Sequence, residues 1–320
     1  PEQESAEYRA AQAEYNNFKA QNLKLDMSRG KPDKAQLALS KGLMNCISDD
    51  IAFLEDGTDC RNYGLLDGIP EAKQLIADLL ELDPSEVVVG GNSSLSLMFD
   101  NISSNMSHGV RDGVPWQQQG KIKFLCPSPG YDRHFAICEY FHIEMIPIKL
   151  TETGPDMDAV EKLVAEDELI KGIWCVPVYS NPTGIVYSDD TVRRLASLKP
   201  KAKDFRIYWD NAYFVHSLTE QCAHIPNILR EAEKYGNVNM PLMFCSFSKI
   251  SYAGASISAM CASKSNVDYI KKRLGIQTIG PDKINQLRHV KFFGNAENVR
   301  AHMKKHAAII RPKFNTVLSV

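Results

Sequence analysis

From about residue 71 onward, apolar positions follow two alternating patterns. Segments such as EAKQLIADLLEL, SLSLMFDNISSNM, YDRHFAICEYF, DMDAVEKLVAEDEL and DDTVRRLASL repeat apolar residues three and four apart, the period of a helix with one buried face. Between them lie short runs that are apolar at nearly every position: EVVVGG, KIKFLC, IEMIPIKL, IWCVPVYS, FRIYWDN, LMFCSFSK and SISAMCAS. Strands apolar on both faces, alternating with helices, predict an α/β fold around a mostly parallel sheet covered on both sides. The region before residue 60 is less regular: a polar N-terminal helix, the Gly/Pro turn MSRGKPD, and one short helix around LALSKGLMNCI. At the other end Met303, Ala307, Ile310, Phe314 and Val317 are spaced four and three apart like a helix face, and no Gly closes that helix. The chain also begins at Pro1 rather than Met, so a fragment of a longer protein is expected.

In open α/β sheets ligands gather beyond the carboxyl ends of the strands. EVVV is followed by GGNSSLS, IWCVPV by YSNPTG, FRIYW by DNAYF, and LMFCSF by SK. A Gly/Ser loop, an Asn-Pro turn, an acid with a nearby Tyr and a lysine would therefore share one edge.

Composition narrows the partners. The chain has 320 residues, 44% hydrophobic and 24% charged, with a net charge of -2. That is ordinary for a globular protein and gives no bulk electrostatic reason to expect nucleic acid or an anionic membrane. No run approaches the length of a membrane span, and the acidic, polar N-terminus is no signal peptide. The eight cysteines are scattered without a CxxC pair, which favours free thiols in a reducing cytoplasm over disulfides or a metal site.

Each candidate residue has a plain reading beside a functional one. Ser93, Ser94 and Leu95 open a helix whose free N–H groups favour a phosphate, yet a serine there is also an ordinary N-cap. Tyr131 follows a Pro-Gly turn, where its ring could cover a planar ligand or pack in the core. Asn181 in YSNPTG offers an amide at the sheet edge or merely belongs to a turn. Asp210 caps the next segment or holds a proton on a heteroaromatic nitrogen, with Tyr213 three residues on. Lys249 is a surface charge, or a desolvated amine able to attack a carbonyl. Pyridoxal phosphate needs an anion cradle, an acid at its ring nitrogen, donors to its phenolic oxygen, an aromatic cover and a lysine.

With these parts in place the sequence resembles the fold-type I, pyridoxal-phosphate-dependent aminotransferases of class I. More narrowly, it is similar to the bacterial aspartate aminotransferases related to the aminotransferase domain of MocR-type regulators. The matching pieces run in family order from about residue 20 to residue 310: SRGKPD, NYGLLDGIPEAK, GGNSSLSLMFD, PSPGYDRHF, YSNPTG, YWDNAYF, SFSK and NQLRHVKFF. Asp210 follows Asn181 by 29 residues and Lys249 follows Asp210 by 39.

The resemblance implies a three-layer αβα large domain with a mostly parallel mixed sheet, plus parts of a small α+β domain. It divides the chain into an N-terminal arm and partial small domain at 1–50, a cofactor domain at 51–305, and the start of a truncated small domain at 306–320. It implies that Lys249 is the Schiff-base lysine, Asp210 the acid at the pyridine nitrogen, and Asn181 and Tyr213 the donors to the phenolic oxygen. Tyr131 would stack on the ring, and Ser93, Ser94, Leu95 and Ser246 would hold the phosphate. Tyr63 would reach the phosphate of the neighbouring subunit in a homodimer, and Gly30 and Asn181 would line the substrate site. An amino acid, aspartate by the subgroup's habit, and a 2-oxo acid are the implied substrates, with no metal, nucleic acid or membrane.

Two departures stand out. Ser256 occupies the place where the wider class keeps a phosphate-binding arginine, and the arginine that grips the substrate α-carboxylate has no counterpart here. Arg288 reaches a distal carboxylate or packs on a helix surface. A fold-type I lyase or decarboxylase would share the same cofactor parts, and a MocR-like effector domain would keep them without turnover.

Overall fold

The computed structural model describes residues 5–24, 30–111, 113–219 and 223–319. It divides into two compact units, Pro1–Asp33 and Lys34–Val320. In the first, α1 (Ala6–Ala20) starts where the Ser5 side chain accepts from Tyr8 N at 3.1 Å, and no residue of it is buried. It is the polar helix the sequence predicts.

Among the described residues, the second unit is built on eight strands: β1 (Val87–Val89), β2 (Lys123–Ser128), β3 (Glu144–Thr151), β4 (Gly154–Pro155), β5 (Ile170–Cys175), β6 (Arg206–Asp210), β7 (Pro241–Ser246) and β8 (Ser258–Cys261). They line up as β1-β8-β7-β6-β5-β2-β3-β4. The pairs β2–β3, β2–β5, β5–β6 and β6–β7 are parallel, whereas β8 is antiparallel to both β7 and β1, and β4 to β3. Since β8 is reversed against both its neighbours, β1 runs with β7. The carboxyl ends of β1, β7, β6, β5 and β2 therefore share one edge.

Helices cover the sheet: α2 (Lys34–Ala38), α3 (Pro70–Leu80), α4 (Ser94–His108), α5 (Asp132–Tyr140), α6 (Met157–Glu166), α7 (Asp189–Ala196), α8 (Ile228–Lys234), α9 (Lys264–Gln277), α10 (Lys283–Phe293) and α11 (Ala296–Leu318). The expected mixed, mostly parallel α/β architecture is present. Alternate strand residues feed two cores. Phe124, Trp174, Tyr208, Phe244 and Met260 pack on one side with Met98 and Ile102 of α4, and Leu125, Ile173, Ile207, Trp209 and Met243 on the other with α3, α7 and α8. In the first core Trp174 and Tyr208 lie 4.9 Å apart by ring centroid, and Phe124 and Tyr208 5.5 Å. Such pairs each add about 0.5–1.5 kcal/mol beyond area burial and make the floor of the sheet stiff.

Three details differ from the sequence reading. IWCVPVYS is strand only to Cys175, while β5 begins earlier, at Ile170. Lys171 and Gly172 look like strand breakers, but Lys171 is buried against Asp204 at 2.8 Å, and Gly172 leaves room for Phe124, whose ring lies 2.5 Å from where a Cβ would stand. LALSKGLMNCI is not one helix: α2 stops at Ala38 and a separate 3-10 turn covers Lys41–Asn45. On α11 the apolar stripe is only half covered, with Met303 and Ala307 buried but Phe314 and Val317 exposed.

Candidate active site

The shared carboxyl edge collects the side chains in question. β6 ends on Asp210, which is buried, and the loop beyond supplies Tyr213 and His216. β7 ends on Ser246, also buried, and three residues later Lys249 lies half-buried with its Nζ 4.7 Å from the centroid of the Tyr213 ring. Burial lowers the Lys249 pKa, opposed by the negative charge of Asp210. A larger fraction of this amine is therefore neutral than of an exposed lysine. Tyr213 shifts the other way, raised by burial and then by Asp210 and Tyr131.

Asp210 is held from one side only. Its Oδ2 lies 2.9 Å from His134 Nε2, while Oδ1 is buried without a hydrogen-bond partner among the described residues. His134 itself is clamped flat on Trp174, ring centroids 4.3 Å apart and planes 7° apart, and edge-on to Tyr131 at 5.1 Å. Sequence reasoning does not single out this histidine. Its one signal is its place within PSPGYDRHF, three residues past Tyr131 on the first turn of α5. The turn preceding it needs glycine: a Cβ on Gly130 would stand 2.4 Å from Pro127 O.

The Gly/Ser loop lies at the end of β1. Ser93 caps α4 with its Oγ accepting from Ser96 N at 3.4 Å, so the plain reading of Ser93 holds, and Ser94 and Leu95 begin the helix with their N–H groups at its free end. The loop is sewn to the segment around Lys249. Ser258 N and Oγ each donate to Gly91 O at 2.8 Å, Gly90 N donates to Ser258 O at 2.8 Å, and Ser248 Oγ donates to Asn92 O at 3.2 Å. Asn181 stands half-buried in the turn after β5, before a cis Pro182. Among the described residues neither its amide nor the hydroxyls of Tyr213, Ser246 and Ser94 make a side-chain hydrogen bond. These donors are free to meet a ligand.

Ser256 is fully buried and its hydroxyl donates to Ile257 O at 3.0 Å, so it is spent within the chain. Arg288 contacts Asn285 and, at 3.8 Å, the Met44 sulfur, with no carboxylate in ion-pair range among the described residues. Tyr63 projects into solvent, 79% exposed. Gly30 belongs to the N-terminal unit, and a Cβ placed on it would meet nothing within 4 Å. Seven cysteines are free of disulfides, and Cys222 lies outside the described residues. Among the described residues no His/Cys/Asp/Glu group suits a metal ion, and no helix is long and apolar enough to cross a membrane.

Behind Lys249 lies a cluster of histidines. His302 Nε2 is 2.8 Å from Ile250 O and 3.2 Å from His306 Nε2, and His289 bridges Asn285 O at 2.8 Å and Ser251 Oγ at 3.1 Å. His216 has neither ring nitrogen partnered among the described residues. Burial drives its pKa down to about 3, helped by the charges of Lys249 and His306, and takes His289 and His306 to about 4.

Comparison with known proteins bears on this edge. A family model described as aspartate amino-transferase matches residues 2–320. An aminotransferase-named protein of Mycolicibacterium smegmatis is 48% identical over 318 residues, 98% of this chain and 74% of that protein. An aspartate aminotransferase of Corynebacterium glutamicum is 47% identical over 307 residues, 96% of this chain and 71% of its own length. The crystal structure of an aspartate transaminase from Corynebacterium glutamicum superposes with a TM-score of 0.94 at 46% identity, covering 97% of this chain and 73% of that one. Aspartate aminotransferase from Thermus thermophilus with maleate, at 19% identity and a TM-score of 0.70, covering 97% and 75%, shares the fold.

Proposed function

We propose a function from one premise: the chain belongs to the aspartate aminotransferase family. It is an aminotransferase, and the finer reading is that it works with pyridoxal 5'-phosphate held at Lys249, taking an aspartate-like amino acid and a 2-oxo acid as substrates. The observation that carries this is the buried, unpartnered Asp210 Oδ1 on the same edge as a desolvated lysine. A carboxylate oriented by His134, with one lone-pair face open, fits a protonated ring nitrogen. Unspent donors on Asn181, Tyr213, Ser246 and Ser94 fit the oxygens of the same molecule.

When bound, the cofactor supplies an aldehyde that condenses with amines and a protonated ring that draws electrons from the substrate α-carbon. The protein does the rest. Lys249 Nζ would hold the aldehyde and, when free, would be the base that carries the proton from the donor's α-carbon. Asp210 Oδ1 would accept the ring N–H and keep that proton in place. Asn181 and Tyr213 would donate to the phenolic oxygen, and Tyr131 would cover the ring. The N–H groups of Ser94 and Leu95, with the hydroxyls of Ser93 and Ser246, would hold the phosphate at the positive end of α4.

The same reading keeps the division at 1–50, 51–305 and 306–320, places the protein in the cytoplasm on the strength of its scattered thiols, and makes it a homodimer. Exposure of Tyr63 supports the last point, since a ring pointing into solvent is available to a second subunit. Titrating the 320-residue chain with pyridoxal phosphate, reducing with borohydride and mapping the modified peptide tests the site. The label is expected on Lys249, and a label elsewhere, or none, sinks the reading. Amino transfer to 2-oxoglutarate, assayed beside release of ammonia or carbon dioxide, separates transamination from lyase or decarboxylase chemistry.

A further inference from the structure

The opposite end of β6 carries a second unsatisfied charge. Arg206 is buried, 7% exposed, and its Nη1 donates to Phe205 O at 2.7 Å. No carboxylate lies in ion-pair range of it among the described residues. The acid nearest in sequence, Asp204, is already engaged by Lys171 at 2.8 Å, Trp116 Nε1 at 3.0 Å and Gln119 Nε2 at 2.9 Å. Desolvation lowers the Arg206 pKa to about 10, which leaves it charged at neutral pH. The charge of Asp204 offsets part of that desolvation, but a buried cation without an ion pair of its own remains disfavoured.

Arg206 lines a small cleft that opens to solvent. Arg111 stands at the rim, and Arg273 lies alongside with its charge already balanced by Asp100 at 2.6 Å. The walls mix polar side chains with Val110, Leu242 and Ile270. Ser104 is only 7% exposed, and its Oγ has no hydrogen-bond partner among the described residues. Asn101 and Asn105 are locked by Tyr208, whose OH donates to Asn101 Oδ1 at 2.8 Å and accepts from Asn105 Nδ2 at 3.2 Å. The cleft thus holds two guanidinium groups outside any ion pair among the described residues and a spare hydroxyl, beside a hydrogen-bonded cluster of two amides and a phenol.

We propose that this cleft is a binding site for a small oxyanion, gripped by Arg206 and Arg111 with Ser104 Oγ donating a third bond. An oxyanion matches it because guanidinium forks pair with two oxygens at once, and a hydroxyl completes a tetrahedral or carboxylate acceptor set. Four residue steps along β6 separate Arg206 from Asp210, about 13 Å at the usual rise, so the site is apart from the Lys249 edge. The proposal does not depend on the cofactor reading. Inorganic phosphate and a dicarboxylate such as succinate are both of this chemistry, and the measurement tells them apart.

Isothermal titration of the full chain with sodium phosphate and with sodium succinate, at ionic strength fixed by sodium chloride, reads the site. Arg206→Met and Arg111→Ala are each expected to weaken one binding phase by about tenfold or more, the loss of a charge-assisted hydrogen bond. Ser104→Ala weakens it less, because it removes only a neutral hydroxyl donor. A response to phosphate alone assigns a tetrahedral anion, and a response to succinate a carboxylate. Arg111 is exposed, so Arg111→Ala reports even if Arg206→Met misfolds. Heats no different from the chloride control, or a phase indifferent to Arg111→Ala and Ser104→Ala, overturn the proposal.

Discussion

Asp204 and Asp210 flank the same strand and meet opposite fates. Asp204, just before β6, has both oxygens filled by a lysine, an indole and an amide, and these contacts hold its pKa down against the cost of burial. Asp210, at the other end, is more deeply buried yet keeps one oxygen empty. Stability alone favours the first arrangement, because an unmade buried hydrogen bond costs about 1–3 kcal/mol. On the proposed reading a ligand completes the second, so the difference between a filled and a half-filled acceptor set is what the two carboxylates put to the test.

The comparison breaks most sharply at Lys249. Lys249→Ala is expected to lose covalent capture of pyridoxal phosphate altogether, read by mass spectrometry after borohydride, and any retained adduct on the chain's other lysines would erase the contrast. Asp210→Asn should lower amino transfer by about 10²–10³, the usual cost of removing a group that stabilises developing charge, while the melting temperature hardly moves. Asp204→Asn should do the reverse: about 3–5 kcal/mol lost from denaturant unfolding, because Lys171 is left buried and unpaired, with cofactor loading unchanged. If the two variants behave alike, the distinction between the carboxylates fails.

The smallest effect, counted per histidine and per pH unit, comes from the cluster behind the site. His216, His289 and His306 have folded pKa values of about 3 to 4, below the ordinary value of 6.5. Below pH 6.5 the unfolded chain therefore binds more protons than the folded one. Stability should rise with pH between about 4 and 6.5, by up to about 1.4 kcal/mol per pH unit for each such histidine. Substituting His306→Asn should flatten that slope, read as melting temperature against pH. His216 faces Lys249, Tyr213 and His306, so its slope is shared with them.

Much of this was legible in the chain. The strands and the residues that follow them stood out because doubly buried strands are apolar at every position and the residues after them are not. Lys249, Asp210, Asn181 and Tyr213 do fall on one edge, a consequence of parallel strand order that alternation with helices predicts. What stayed hidden depends on contacts between distant segments. Lys171 fell outside the expected strand IWCVPVYS because the partner that lets it be buried, Asp204, is 33 residues away. His134 was invisible as a brace for Asp210 because only the fold brings β6 beneath α5. Arg206 read as one charge at the start of an apolar run, and no local pattern tells a solvated arginine from a stranded one.

The hydrogen bonds that join Gly90, Gly91 and Asn92 to Ser248 and Ser258 also set a length. They tie the start of α4 to the backbone beside Lys249. On the proposed reading the edge would then act as a gauge. A molecule tethered to the lysine would be accepted or refused by whether its far end arrives at the helix start, and one cut short of its phosphate would be caught at one end and left loose at the other.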